Sequence, residues 1–119
     1  MTPIESFEAR ALQACKAIND IIHSRLPVEM WHPGEFLGEE IEARGLTHRQ
    51  VAAASGIPPG RISELVSGKR DVTAAISVRL GHAFTVGDNF FLALQGAYDL
   101  WLARKALQQK IAKLERLPL

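Results

Sequence analysis

The chain has 119 residues, 47% of them hydrophobic and 23% charged, with a formal net charge of +1. That length excludes a large multidomain enzyme, and that apolar content suits one compact core and excludes a disordered or collagen-like chain. A lone cysteine, Cys15, excludes an intrachain disulfide and a multi-cysteine zinc site. With no secretory pattern at Met1-Thr2-Pro3-Ile4-Glu5 and no long uncharged apolar run, the expectation is a soluble cytoplasmic protein that does not enter membranes.

Apolar periodicity predicts helices throughout. The first runs from about Pro3 to His23, where Ile4, Phe7, Ala11, Cys15, Ile18 and Ile22 recur at steps of three or four, and Arg25-Leu26-Pro27 ends it. His32-Pro33-Gly34-Glu35 starts a second helix, which carries Phe36, Leu37 and Ile41 to the core and stops at Gly45. Thr47-His48-Arg49-Gln50 has the spacing of a capping box, and the short helix after it stops at Gly56. Ile57-Pro58-Pro59-Gly60 is a connection, with Pro59 suited to a first helical position. The next helix runs to Ser67, with Ile62, Leu65 and Val66 inward and Gly60, Arg61, Ser63, Glu64 and Ser67 outward; Gly68 closes it. Thr73 caps a helix through Phe84 whose apolar positions include Ile76, Leu80 and Ala83. Gly87-Asp88 starts a last, strongly apolar helix that continues past Leu107.

Charge is unevenly placed along these elements. Residues 1–43 carry Arg10, Lys16 and Arg25 against eight acidic side chains, a net −5. Residues 44–70 carry Arg44, Arg49, Arg61, Lys69 and Arg70 against Glu64 alone, a net +4. The basic stretch coincides with a 20-residue window, His48 to Ser67, that has the spacing of a helix-turn-helix. Ala52 is small where the second helix crosses, Gly56 takes the left-handed turn, and Ile62 and Leu65 lock the crossing. The second helix is then free to enter a major groove. Thr47, His48, Arg49, Ser67, Lys69 and Arg70 lie at the helix ends where DNA phosphates would pass. The plainer alternative, a helical hairpin with glycine stops, accounts less well for the capping box and the trailing Gly68-Lys69-Arg70.

The run His32-Pro33-Gly34-Glu35, the segment Gly45-Leu46-Thr47 to Ala52, the stretch Arg61 to Arg70 and Leu94-Gln95-x-Ala97-Tyr98-Asp99-Leu100 resemble the HigA family of antitoxins, over about residues 31–103. The helix-turn-helix part is shared with the wider Xre and lambda-repressor-like superfamily. The first and last of these runs point to HigA. The resemblance implies an all-α, five-helix lambda-repressor-like domain, here residues 31–103. An extra N-terminal helix within residues 1–30 and an extended C-terminal helix over 104–119 flank it. It further implies a homodimer on palindromic operator DNA that represses its own operon and neutralises a small, basic, RelE-like toxin that cleaves messenger RNA.

The sequence departs from the superfamily at the start of the recognition helix. Pro58 stands where Ser is usual, and Pro59 and Gly60 occupy positions near polar base-reading residues. They sit at the DNA face but cannot read bases through side-chain hydrogen bonds. Readout then falls on Arg61, Ser63 and Glu64, since arginine pairs with guanine O6 and N7 and glutamate accepts from cytosine N4. The acidic N-terminal helix can pack on the domain or steer to a basic toxin. On the last helix, Phe91, Leu94, Tyr98, Trp101 and Leu102 are assigned to dimerisation, although Phe91, Leu94 and Tyr98 also have the spacing to pack inward. A two-fold dimer would set its recognition helices roughly 34 Å apart.

No chemistry is indicated. Cys15 sits on an apolar stripe; His23, His32, His48 and His82 lack metal-ligand spacing; and no phosphate-binding glycine loop or nucleophile with its base is present. The expectation is a protein that is not an enzyme and uses no metal or cofactor. Two other functions stay open: a stand-alone transcriptional regulator of the same fold, and an interaction module whose Pro58-Pro59-Gly60 has cost it specific DNA binding.

Overall fold

The protein, as a computed structural model, is described over residues 30–118 together with Leu12 and Lys16. Apart from Leu12 and Lys16, the predicted helix from Pro3 to His23 lies outside the described residues. Five helices and no strands make up the described part: α1 Pro33–Ala43, α2 His48–Ser55, α3 Pro59–Val66, α4 Ala74–Phe84 and α5 Phe90–Ala112.

The ends of these helices follow from local chemistry. The Thr47 hydroxyl accepts from the Gln50 amide at 3.1 Å and the Gln50 side chain accepts from the Thr47 amide at 2.7 Å, a complete capping box on α2. Gly56 ends α2 at φ 74°, a left-handed conformation that would strain a larger residue. Pro59 opens α3 at a position where its missing N–H costs nothing. Thr73 caps α4 through the Ile76 amide at 3.3 Å.

One element starts later than its sequence suggests. The last helix begins at Phe90 and not at Gly87-Asp88, because those residues form a turn in which the Phe90 amide donates to the Gly87 carbonyl at 3.0 Å. The buried Ser77 hydroxyl donates to the Asp88 carbonyl and accepts from the Leu92 amide at 3.0 Å, tying this turn to α4.

Phe36, Leu37 and Ile41 of α1, Val51 of α2, Ile62 and Leu65 of α3, Leu80 and Phe84 of α4, and Phe91 and Leu94 of α5 form one buried cluster. Each large side chain removed from water contributes on the order of 2 kcal/mol. The approach of α1 to α3 is close: a Cβ built on Gly34 would overlap the backbone carbonyl oxygen of Leu65. Glu40 is also fully buried in α1, paired with Arg44, whose guanidinium stacks 5.4 Å from the centre of the Phe84 ring. The core thus clamps α3 from behind while its outer face, Gly60, Arg61, Ser63 and Ser67, stays exposed.

Candidate nucleic-acid interface

Helices α2 and α3 with the turn at Gly56 form the helix-turn-helix. The two are joined on their outer side by His48 Nδ1 and Ser63 Oγ, 2.8 Å apart. Thr47, Arg49, Pro59, Gly60, Arg61, Ser63, Ser67, Lys69 and Arg70 are all exposed, and His48 is half-buried. The fold therefore leaves this sequence-predicted set accessible at the outer ends and face of the α2–α3 pair. No carboxylate is paired with Arg61, Lys69 or Arg49 in the ion pairs of the described residues. Glu64 is half-buried, and its carboxylate accepts from Arg70 Nε at 2.8 Å. The Ser67 hydroxyl donates back to the Glu64 carbonyl at 3.1 Å.

The loop that follows α3 is held from behind by polar contacts that helix-turn-helix spacing does not reveal. The Gln95 side-chain oxygen, buried in α5, accepts from the Val72 amide at 2.8 Å, and its NH2 donates to Asp99 at 2.9 Å. His32 faces Asp71 through Nε2 at 3.0 Å and accepts from the Gly34 amide through Nδ1 at 2.9 Å. Those partners assign the imidazole proton to Nε2. Tyr98 meets the same imidazole edge-on, with ring centres 5.2 Å apart. The His32 and Leu94-to-Leu100 segments thus converge on residues 71–72. They position Lys69 and Arg70, and they need not touch DNA to do so.

Arg79 and Thr73 belong to no predicted site, yet both line a cleft of about 350 Å³ beside the turn, with Gly56, Ile57, Pro58, Arg61 and Arg70. Nothing in the linear pattern marks them, since α4 lies outside the helix-turn-helix window. Among the described residues no group of three or more His, Cys, Asp or Glu side chains could hold a metal ion, and no helix is long and apolar enough to cross a membrane.

The dimerisation assignment needs correction at Phe91 and Leu94. Phe91 and Leu94 are 0% and 3% exposed and fill the domain core, because α5 crosses α1 and α4 over its first two turns. Tyr98 and Trp101 are half-buried against Met30 and Ala97. Of the five residues, Leu102 alone is exposed; Leu100, Leu107 and Ile111 of α5 and Leu114 and Leu117 after it are exposed as well.

Comparison with known proteins agrees with this architecture. The helix-turn-helix family matches residues 37–89. The chain is 36% identical to virulence-associated protein A' of Dichelobacter nodosus, over 58% of the chain and only 61% of that protein. It is 33% identical to antitoxin HigA-1 of Vibrio cholerae, over 72% of the chain and 79% of that protein. An addiction module antidote protein of the HigA family from Coxiella burnetii superposes with a TM-score of 0.69 at 35% identity, covering 77% of this chain and all of the other. PA4674 of Pseudomonas aeruginosa, solved with its 18-bp operator DNA, superposes with a TM-score of 0.71 at 26% identity, covering 78% of this chain and all of the other.

Proposed function

From the premise that this chain belongs to the HigA family of antitoxins, we propose that it is an operator-binding autorepressor that also neutralises a small RelE-like, messenger-RNA-cleaving toxin by direct binding. The observation that carries the DNA-binding half is the exposed outer face of α3. It presents Arg61 and Ser63, is flanked by Arg49, Lys69 and Arg70, and is backed by a rigid core. PA4674, similar in fold, is a protein with operator DNA bound.

Arg61 is the main base reader and Ser63 a lesser one. Glu64 reads only after Arg70 moves to a phosphate, an exchange that costs little because a pair this exposed is worth at most about 1 kcal/mol. Thr47, His48, Arg49, Ser67, Lys69 and Arg70 meet phosphates, and Pro59 and Gly60 allow close approach without reading. Arg61→Ala is expected to cost roughly 1–3 kcal/mol on operator DNA and to relax sequence preference. Fluorescence anisotropy on operator and scrambled duplexes measures both, and equal affinities for variant and parent would remove Arg61 from the readout.

The dimer forms along one stripe of α5, where Leu100, Leu107 and Ile111 are exposed at spacings of seven and four. Its two-fold axis implies a palindromic operator. Replacing Leu107 and Ile111 together by glutamate is expected to give a folded monomer by sedimentation, with operator affinity reduced about a hundredfold through lost bivalency. A variant that still sediments as a dimer places the interface elsewhere.

The acidic N-terminal segment is the proposed toxin contact, attracted to a basic ribosome-directed nuclease. Deleting residues 1–26 should weaken toxin binding by about tenfold or more in calorimetry and leave operator binding unchanged. Undiminished toxin binding would return that segment to a packing role.

The whole reading is tested by co-expression with the short open reading frame adjacent to this gene. Growth arrest by the neighbour alone, relieved by this protein in a complex that copurifies, supports the antitoxin. Absence of toxicity and of a complex leaves an operator-binding regulator, and absence of salt-sensitive DNA binding as well leaves an interaction module.

A further inference from the structure

The start of α3 is poorly equipped to hold an anion through its backbone. Pro58 and Pro59 carry no amide hydrogen, and the Arg61 and Ile62 amides both donate to the Pro58 carbonyl, at 3.0 and 3.1 Å. Of the first residues of this turn only Gly60 keeps an amide without a backbone acceptor, so a phosphate arriving beside it is met mainly by side chains.

Three are gathered there. The cleft of about 350 Å³ brings together Arg61 from α3, Arg70 from the loop after it and Arg79 from α4, with the Thr73 hydroxyl residue on its wall and no acidic residue in its lining. Glu64 pairs with Arg70 nearby and answers one of the three charges. Arg79 is exposed and spends one N–H on the Ser55 carbonyl at 3.3 Å, a long contact for a group with five donors. Gly56 leaves the space that this guanidinium occupies, since a Cβ there would collide with Arg79 Nη1. Like charges drawn into one cleft from three segments repel unless an anion joins them.

We propose that this cleft is a phosphate-binding site and that Arg79, on a helix outside the helix-turn-helix pair, is its clamp. Resting on the DNA-binding reading above, the phosphate is one of the operator backbone, held by Arg79 with Arg70 while Arg61, at the cleft's edge on α3, turns to the adjoining groove. A free phosphate shares the chemistry and is separated from DNA by experiment.

The test compares the parent with Arg79→Ala and Arg79→Gln. Glutamine keeps a donor for the Ser55 carbonyl but removes the charge. DNA binding is followed by anisotropy across a salt series. Both variants should lose about tenfold in affinity on operator and random duplexes alike, with the slope of log affinity against log salt shallower by about one. In parallel, the melting temperature is read in inorganic phosphate against chloride at equal ionic strength; the parent should be stabilised by phosphate and the variants should not. Parent-like salt slopes with phosphate stabilisation that depends on Arg79 keep the site and overturn DNA as its phosphate source. A parent that is phosphate-stabilised through Arg79 yet binds no DNA also supports the site, while sinking the operator reading. Parent-like behaviour of Arg79→Gln in both measurements reduces Arg79 to a cap on α2 and overturns the proposal.

Discussion

Gly34→Ala is expected to cost about 4 kcal/mol or more, enough to leave a domain of this size largely unfolded near body temperature. A Cβ at this position meets the backbone carbonyl oxygen of Leu65, and backbone cannot rotate aside as a flexible side chain can. Either α1 moves off α3 or the carbonyl is displaced, and both open the contact among Leu37, Ile62 and Leu65, three of the most deeply buried side chains. The same Cβ would crowd His32 Nδ1, which caps α1 and faces Asp71, so the loop carrying Lys69 and Arg70 would be disturbed too. Urea unfolding followed by circular dichroism measures the loss. A change below about 1 kcal/mol would mean that the two helices do not approach as closely as described.

Arg44→Ala carries the second largest expected effect, about 3 kcal/mol, because it leaves the carboxylate of Glu40 in the core without its guanidinium. The substitution also removes the cation stacked on Phe84. Glu40→Gln should cost less, since it takes the charge out of the interior and leaves the partly exposed Arg44 able to find water. Combining it with Arg44→Ala should recover part of the single variant's loss. That ordering is checked by chemical denaturation of the three variants. If Arg44→Ala proves no worse than Glu40→Gln, the guanidinium beside the buried carboxylate is not what matters at this site.

Much of the helix-turn-helix is legible in the sequence because its signals are local. The Thr47–Gln50 box, the left-handed Gly56, Pro59 at the head of α3 and the inward spacing of Ile62 and Leu65 each act within a turn or two of chain. Exposure of Arg61 and Ser63 follows from the same spacing. The motif at His32-Pro33-Gly34-Glu35 stands out in the sequence, but its reason does not. His32 reaches Asp71, 39 residues away, and Gly34 is small because Leu65 arrives against it. Gln95 likewise is an ordinary helical residue until Val72 is brought to its side-chain oxygen.

The sequence by itself determined the ends of α2 and α3, the inward face of each, and that the basic stretch falls on a pair of helices suited to a groove, since propensity, capping and periodicity depend on near neighbours. Only the tertiary structure decided which half of the long apolar α5 is covered. Phe91 and Leu102, eleven residues apart, share one face of the helix, yet the first is core and the second is exposed. It also drew Arg61, Arg70 and Arg79 to one cleft and paired Glu64 with Arg70. Those outcomes depend on how helices distant in the chain pack together, and a one-dimensional pattern carries no record of that arrangement.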